Sequence, residues 1–307
     1  MQKEYFVKEK KCPILFLFFL HLVSFWALVK YIVLHFLFKL DTKKIRGKFY
    51  GSLWVDRFSS FNRGIRLNAT NWKALDSLYN YQEKMKGCGL VERFFSGFWT
   101  NMENFHAINN RAEKVTMIIK KELQKNFNRQ EVGEINVLSI ASGSAQPLLE
   151  AIRSFSSKQQ QRINLTLLDL DKSALDNSKA LFAEFKIKSN LKTIKDSAHN
   201  LEKLFNKRNF DIIEMVGFLD YRPKLRAICL IKKIKKLMKK QGIFLTCNIY
   251  PNKEKYFLDW VLLWPMIYRK KEFKEILLKS GFKDKNIKII FTQFTIHQLA
   301  ICYNRNK

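Results

Sequence analysis

The stretch Val137-Leu-Ser-Ile-Ala-Ser-Gly-Ser-Ala-Gln-Pro-Leu-Leu149 decides the fold of this chain. The apolar run from Ile135 to Ile140 predicts a buried parallel strand. The small residues from Ala141 to Ala145 predict a tight turn, and Pro147 favours a helix start because its missing N–H would be unpaired there anyway. A strand, a small-residue turn and a helix in this order let the backbone approach a nucleotide-like ligand at the carboxyl edge of an α/β sheet.

A second strand and an acid strengthen this interpretation. Residues 163–168 are apolar at most positions and predict a strand that ends at Asp169-Leu170-Asp171. An acid at the tip of the second strand of a βαβ unit lies where it can bind ribose hydroxyls. Asp171 also suits the N-cap of the helix that follows from Ser173.

The rest of the chain predicts more strands in the same order. The expected fold is a Rossmann-like, doubly wound α/β sheet, mostly parallel, with a C-terminal antiparallel hairpin and an N-terminal helical segment. The further strands are predicted over residues 191–194, 210–216, 242–247, 287–291 and 295–303.

These elements resemble class I S-adenosylmethionine-dependent methyltransferases over about residues 105 to 307. The resemblance implies S-adenosylmethionine as cofactor and methyl donor. It departs from the family's first motif at Ser139, where an acid is common, and at Ala141 and Ala145, where glycines are common. The resemblance implies cofactor contacts at Ala141, Ser142, Gly143, Ala145, Asp169, Leu170 beside the adenine, Asp196 and Ser197.

A narrower resemblance points to a branch of bacterial methyltransferases, some with membrane-spanning segments and others acting on fatty-acyl carboxylates. In that branch the first-motif acid is often replaced, as it is at Ser139. The residues that carry this resemblance are Asn110-Arg111, 141–143, 168–171, 217–221, Tyr268-Arg269 and 280–282.

The fourth strand and the loop after it hold the candidates for catalysis. Asp220 and Tyr221 lie at the edge where a methyl acceptor would bind, and Glu214 precedes them within the strand, so each is a candidate for proton transfer. Loop capping and turn polarity explain these residues equally well. The chain has no Asn-Pro-Pro-Tyr or Asp-Pro-Pro-Tyr sequence of the kind found in amino-directed nucleic-acid methyltransferases.

The composition indicates which classes of partner the protein could bind. Lys and Arg number 56 against 27 acids, a formal charge of +29, which favours anionic lipid or nucleic acid, although a generally lysine-rich composition explains it too. The basic amphipathic segment 231–240 predicts a solvated crossover helix. No basic segment has the pattern of a specific RNA-binding site. Five scattered cysteines without CxxC spacing indicate a reducing compartment, and no metal site is expected.

Residues 1–40 contain a long apolar run. Residues 13–29 carry no charge, and about 20 mainly apolar residues suffice to cross a bilayer. We therefore predict a signal-anchor or transmembrane helix within residues 1–40, with the catalytic domain on the cytoplasmic side, and keep a buried core helix as the alternative. A helical accessory region is expected over 41–130, and the cofactor-binding domain over 131–307.

Three functions are compatible with these patterns. The first is a membrane-associated methyltransferase acting on a lipid or small hydrophobic acceptor. The second is a catalytically degenerate binding or scaffold protein with the same fold, which the changes at Ser139, Ala141 and Ala145 would favour. The third is an RNA methyltransferase, which rests on charge alone.

Overall fold

The structure is a computed structural model that describes residues 13–38, 57–129, 133–205, 209–262 and 264–305. The chain divides into two compact units. The first comprises residues 1–110, 251–266 and 293–296, and the second comprises residues 111–250, 267–292 and 297–307. The first unit thus includes two short segments from within the region that the sequence assigned to the cofactor-binding domain.

The second unit is built on a seven-stranded sheet of order β3-β2-β1-β4-β5-β7-β6. Strands β1 to β5 are parallel, and β7 pairs antiparallel with both β5 and β6. This confirms the predicted Rossmann-like sheet with its C-terminal antiparallel hairpin. The strands are β1 (Ile135–Ile140), β2 (Ile163–Asp169), β3 (Asn190–Lys195), β4 (Phe210–Met215), β5 (Met238–Ile249), β6 (Ile287–Phe291) and β7 (His297–Tyr303).

Helices cover both faces of the sheet, so that the central strands are buried on both sides, as in other doubly wound folds. The helices of this unit are α6 (Glu103–Arg129, which begins in the first unit), α7 (Gln146–Arg153), α8 (Ser157–Gln160), α9 (Lys172–Glu184), α10 (Leu201–Leu204), α11 (Lys224–Leu237) and α12 (Glu272–Lys279). One face of the sheet packs on the second half of α6 and on α7, and the other face packs on α11 and α12.

The basic segment 231–240 is not one helix. Helix α11 ends at Leu237, and β5 begins at Met238, whose backbone is extended (φ −73°, ψ 133°). Met238 pairs with Phe210, and the register then shifts before Ile212 pairs with Ile243. The apolar side of the helix is buried as predicted, but its last lysines belong to an irregular strand start.

The first unit is helical and has its own polar anchor points. Trp99 is buried, and its indole N–H donates to Oδ1 of Asn62 at 2.7 Å. Buried Glu254 accepts the backbone N–H groups of Glu103 and Asn104, at 2.7 and 2.9 Å, where α6 begins. The other helices are α1 (Ile14–Phe38), α2 (Ser60–Leu67), α3 (Trp72–Tyr79), α4 (Tyr81–Lys84), α5 (Leu90–Ser96) and a π-helical turn at Phe257–Val261.

Helix α1 corresponds to the predicted anchor. One side packs against protein: Leu20 is buried, and the Phe16 ring lies 5.1 Å from that of Phe98. Within the described residues, no helix combines the length and apolar character needed to cross a membrane. The structure therefore does not support the predicted transmembrane helix, whose flanking residues 1–12 and 39–40 lie outside the described part.

Candidate functional site

The turn after β1 has the backbone of a glycine-rich loop although only one glycine is present. Ala141, Gly143 and Ala145 have φ values of 52°, 54° and 51°, all in the left-handed region. Alanine is disfavoured there by about 1–2 kcal/mol because its Cβ crowds the following carbonyl oxygen. The two alanines nevertheless adopt this conformation, so the turn has the bend that glycines usually provide.

Asp169 closes this turn from the tip of β2. Its Oδ2 accepts the N–H of Gly143 at 2.9 Å, and its Oδ1 accepts the N–H of Asp171 at 2.9 Å. Ser178 on α9 supports the turn from behind by donating to the carbonyl of Gly143 at 3.0 Å. The structure thus brings together the small-residue turn and the acid that were predicted to share a site. Asp171 caps α9 through Ser173, as predicted.

The loop after β3 lies beside Asp169. The N–H of Asp196 donates to the carbonyl of Asp169 at 3.1 Å, so the strand tips share one edge. Hydrogen bonds from Asn200 and from the N–H of Ser197 lower the pKa of Asp196, keeping it ionised. Ser197 caps the short helix that follows, and the Leu170 side chain is exposed at the same edge.

Asp220 and Tyr221 form a short 3-10 helix with Leu219 after β4. The Asp220 carboxylate is buried and accepts the N–H of Ile249 at 2.7 Å, an interaction that fixes the end of β5. Burial raises the pKa of Asp220, although the nearby guanidinium groups of Arg111 and Arg269 oppose this. This geometry favours loop capping, and proton transfer by Asp220 or Tyr221 stays a prediction.

Arg269, one of the residues that carry the branch resemblance, has a structural role. It is buried, and its guanidinium donates to the carbonyls of Leu219 and Arg222, to Oδ1 of Asn248, and to Glu272. These acceptors belong to the loop after β4, the end of β5 and the start of α12. Arg269 therefore holds the edge of the sheet together.

A buried polar row crosses one face of the sheet next to the turn. Four polar residues lie on the face covered by α6: Ser139 on β1, Glu214 on β4, Cys247 on β5 and His297 on β7. Residues two apart on a strand point to the same face of a sheet. Cys247 belongs to the apolar cluster on this face, and each of the other three is two residues from a member of that cluster. Arg111 on α6 is the cation that influences Glu214, Cys247 and His297 electrostatically. The branch resemblance includes Arg111 but implies no role for it.

The residues at this edge suit the adenosyl part of the expected cofactor. Ser142 in the turn has a buried hydroxyl oxygen with no hydrogen-bond partner in the described residues, and a ligand could satisfy it. Asp169 holds its backbone partners with part of its acceptor capacity, which leaves lone pairs for ribose hydroxyls. Among the described residues, no group of three or more His, Cys, Asp or Glu side chains could hold a metal ion.

Comparison with known proteins identifies the family. Residues 132–286 match the model of a methyltransferase domain. The match spans half of the chain, and the chain therefore belongs to this methyltransferase family. The family match and the fold confirm the predicted cofactor, S-adenosylmethionine. No curated protein matches the sequence.

Solved structures show the same fold at low sequence identity. A possible exported protein from Bordetella parapertussis has a TM-score of 0.64 at 16% identity, with 80% of this chain and 84% of that chain covered. The magnesium protoporphyrin IX methyltransferase of Synechocystis PCC 6803, solved with bound SAH, has a TM-score of 0.51 at 12% identity, covering 74% and 94%. The CurJ carbon methyltransferase has a TM-score of 0.51 at 10% identity, covering 75% and 68%.

Proposed function

We propose that this methyltransferase acts on a lipid or small hydrophobic acceptor at a membrane surface, on the cytoplasmic side where the cofactor is made. The observation that supports the proposal is the exposed apolar side of α1. Phe18, Phe25 and Trp26 are 68%, 58% and 62% exposed, opposite the side on which Leu20 is buried. Contiguous exposed apolar surface of this kind marks an interaction site.

A lipid surface suits this side of α1 better than another protein surface does. A helix with aromatic residues on its apolar side can lie in the headgroup region with that side in the acyl boundary. The chain's net charge of +29 adds attraction to anionic headgroups, about 1 kcal/mol for each basic residue near the surface. This arrangement requires no membrane crossing.

The basic face of α11 supports an RNA methyltransferase less well than α1 supports the lipid proposal. Lys233 and Lys236 both pair with Glu202, at 3.4 and 2.9 Å. Lys224 pairs with Glu275 at 3.0 Å. Several of the lysines that suggested a nucleic-acid surface thus have local acidic partners.

We assign the cofactor contacts as follows. The carboxylate of Asp169 binds the ribose hydroxyls, Leu170 flanks the adenine, and Asp196 with Ser197 recognises the adenine edge. The turn from Ala141 to Ala145 approaches the methionine portion. The cofactor supplies a methyl group bound to a sulfonium, and the protein's main contribution is alignment, which can provide about 7–11 kcal/mol.

The acceptor's chemistry decides whether a base is needed. A lipid carboxylate can take the methyl group without losing a proton, whereas an alcohol or amine must lose one. The burial of Asp220 against the N–H of Ile249 favours an acceptor that needs no base. For a protic acceptor, Asp220 and Tyr221 remain the candidates.

One experiment tests the acceptor class. The purified full-length protein is incubated with methyl-labelled cofactor and separate total lipid, RNA and protein fractions. Label in the lipid fraction, lost in Asp169→Ala, is the expected result. Label in RNA alone would refute the lipid proposal, and cofactor binding without transfer to any fraction would favour the scaffold function.

Membrane association is tested with vesicles. The protein should sediment with vesicles that contain an anionic phospholipid, and Phe18→Ser/Phe25→Ser/Trp26→Ser should reduce the bound fraction severalfold. Leu225→Ser is the matched control, because Leu225 is an exposed apolar residue on α11. Equal binding of the triple variant and the control would contradict the role of α1.

A further inference from the structure

The buried carboxylate of Glu214 is the centre of this inference. It lies at the end of β4, directly beside β1, where Ser139 pairs with it in register. The hydroxyl of Ser139 donates to Oε2 of Glu214 at 2.5 Å, and the N–H of Val216 donates to Oε1 at 2.9 Å. Glu214 is 9% exposed, and these two hydrogen bonds hold its carboxylate in place.

The position of this carboxylate relative to the turn suggests a ligand. Ser139 lies on the strand that runs directly into the Ala141–Ala145 turn, and its hydroxyl is hydrogen-bonded to the carboxylate of Glu214. Ser139 cannot itself carry a charge. Glu214 therefore provides, from the neighbouring strand, a negative charge at the place where the first strand lacks one.

The methyl donor brings positive charge to this edge. S-adenosylmethionine carries an ammonium, a sulfonium and a carboxylate at its methionine end, so this end is a net cation, and a buried site for it requires a nearby anion because an unpaired buried charge is strongly disfavoured. Asp169 and Asp196 lie at the tips of β2 and β3 and are assigned above to the ribose and the adenine, so neither is placed at the methionine end. Glu214 is the buried acid next to the tip of β1.

We infer that Glu214 binds the cationic methionine end of the methyl donor and gives up a proton as the donor binds. This inference rests on the proposed function only in that the protein binds S-adenosylmethionine. It does not depend on the acceptor or on membrane association.

The surroundings of Glu214 make the proton exchange measurable at neutral pH. Burial raises its pKa to about 7, although hydrogen bonds from Ser139 and Val216 and the charge of Arg111 oppose this. At pH 7 about half of the molecules are therefore protonated before the donor binds. A cation placed beside the carboxylate lowers its pKa and releases that proton.

The other titratable groups around Glu214 have distinct behaviour. Burial and Arg111 hold the pKa of His297 well below its usual range, so His297 stays neutral. Burial raises the pKa of Cys247 to about 12, so its thiol stays protonated. Asp220 also has a pKa raised by burial, and it shares Arg111 with Glu214, so it needs its own control variant.

The test is a calorimetric titration of the full-length protein with S-adenosylmethionine in buffers of different ionisation enthalpy. The wild type should release about half a proton at pH 7, and its Kd should rise up to tenfold for each pH unit below 7. Glu214→Gln keeps the side-chain shape but cannot ionise. It should bind at least tenfold more weakly at pH 8, with that proton release and pH dependence absent.

Asp220→Asn is the matched control, because it removes the other buried acid near Arg111 and keeps an oxygen for the N–H of Ile249. It should retain the proton release. If Glu214→Gln binds with wild-type affinity and proton release, or if Asp220→Asn alone loses the release, the inference is wrong.

A second variant covers a folding defect in Glu214→Gln. Ser139→Ala removes the hydroxyl that lowers the pKa of Glu214, so the midpoint of the pH dependence of Kd should move upward. An unchanged midpoint would overturn the inference. A wild-type protein that binds the donor but transfers no label to lipid would contradict the proposed function and leave this inference standing.

Discussion

The pH dependence of stability offers a direct check on the environment of Glu214. In the folded protein, burial raises its pKa from 4.5 to about 7. The folded state therefore binds this proton more tightly than the unfolded state does, so this group lowers the free energy of unfolding as the pH rises through that interval. The shift corresponds to about 3 kcal/mol, reached near pH 7 and constant above it.

Glu214→Gln removes this effect while leaving every other acid in place. The difference in the free energy of unfolding, variant minus wild type, should grow by about 3 kcal/mol between pH 4.5 and pH 7 and then level off. Urea denaturation of both proteins, followed by tryptophan fluorescence at half-unit pH steps, measures it. Contributions from Asp220 and Glu254 are common to both proteins and cancel in the difference.

Glu275→Gln is the matched control for this measurement. Glu275 is on the surface, and its hydrogen bond with Lys224 lowers its pKa, the opposite direction from Glu214. The Glu275→Gln variant should therefore show no gain in relative stability as the pH rises. If the difference in the free energy of unfolding between Glu214→Gln and wild type does not change with pH, Glu214 is not a buried acid with a raised pKa.

Further predictions concern the turn and the first unit. Ala141→Gly should stabilise the protein by about 1 kcal/mol because it relieves a left-handed alanine, whereas Gly143→Ala should destabilise it by about 1–2 kcal/mol; thermal unfolding of the pair checks both signs. Asn62→Ala should lower the free energy of unfolding by about 2 kcal/mol because it leaves the buried Trp99 N–H unpaired, and an unchanged value in the same denaturation assay would contradict this role. Glu254→Gln should lower it by about 1–3 kcal/mol, since one of its two acceptor oxygens becomes a donor; no change would contradict the capping role.

The sequence predicted the sheet well because its central strands are buried on both sides. Runs such as 135–140 and 210–215 are each apolar at four of six positions, and their order along the chain determines a parallel sheet with few alternatives. The predicted strand 295–303 begins two residues late, at His297, because Gln293 to Thr295 form a tight turn with left-handed residues. Such turns depend on local backbone conformation that composition does not reveal.

The sequence predicted the site contacts between strands that are consecutive in the chain and missed those between strands that are not. Asp169 and Gly143 are linked because β1 and β2 are consecutive neighbours in the sheet. The contact between Ser139 and Glu214 joins β1 to β4, and nothing in the spacing of these residues states that they pair. Arg111 was likewise noted in the sequence, but its role depends on where α6 lies on the sheet.

The composition of the first unit has a practical consequence for work with fragments of this protein. Its segments come from before β1, from between β5 and β6, and from between β6 and β7, and the buried carboxylate of Glu254 depends on donors from residues more than a hundred positions earlier in the chain. A fragment that starts at β1 would keep Glu254 and lose its donors at Glu103 and Asn104. Such a fragment would expose a buried acid and the apolar surface around Phe257, so a fragment intended to isolate the sheet should keep the upstream helices or omit residues 251–266 together with them.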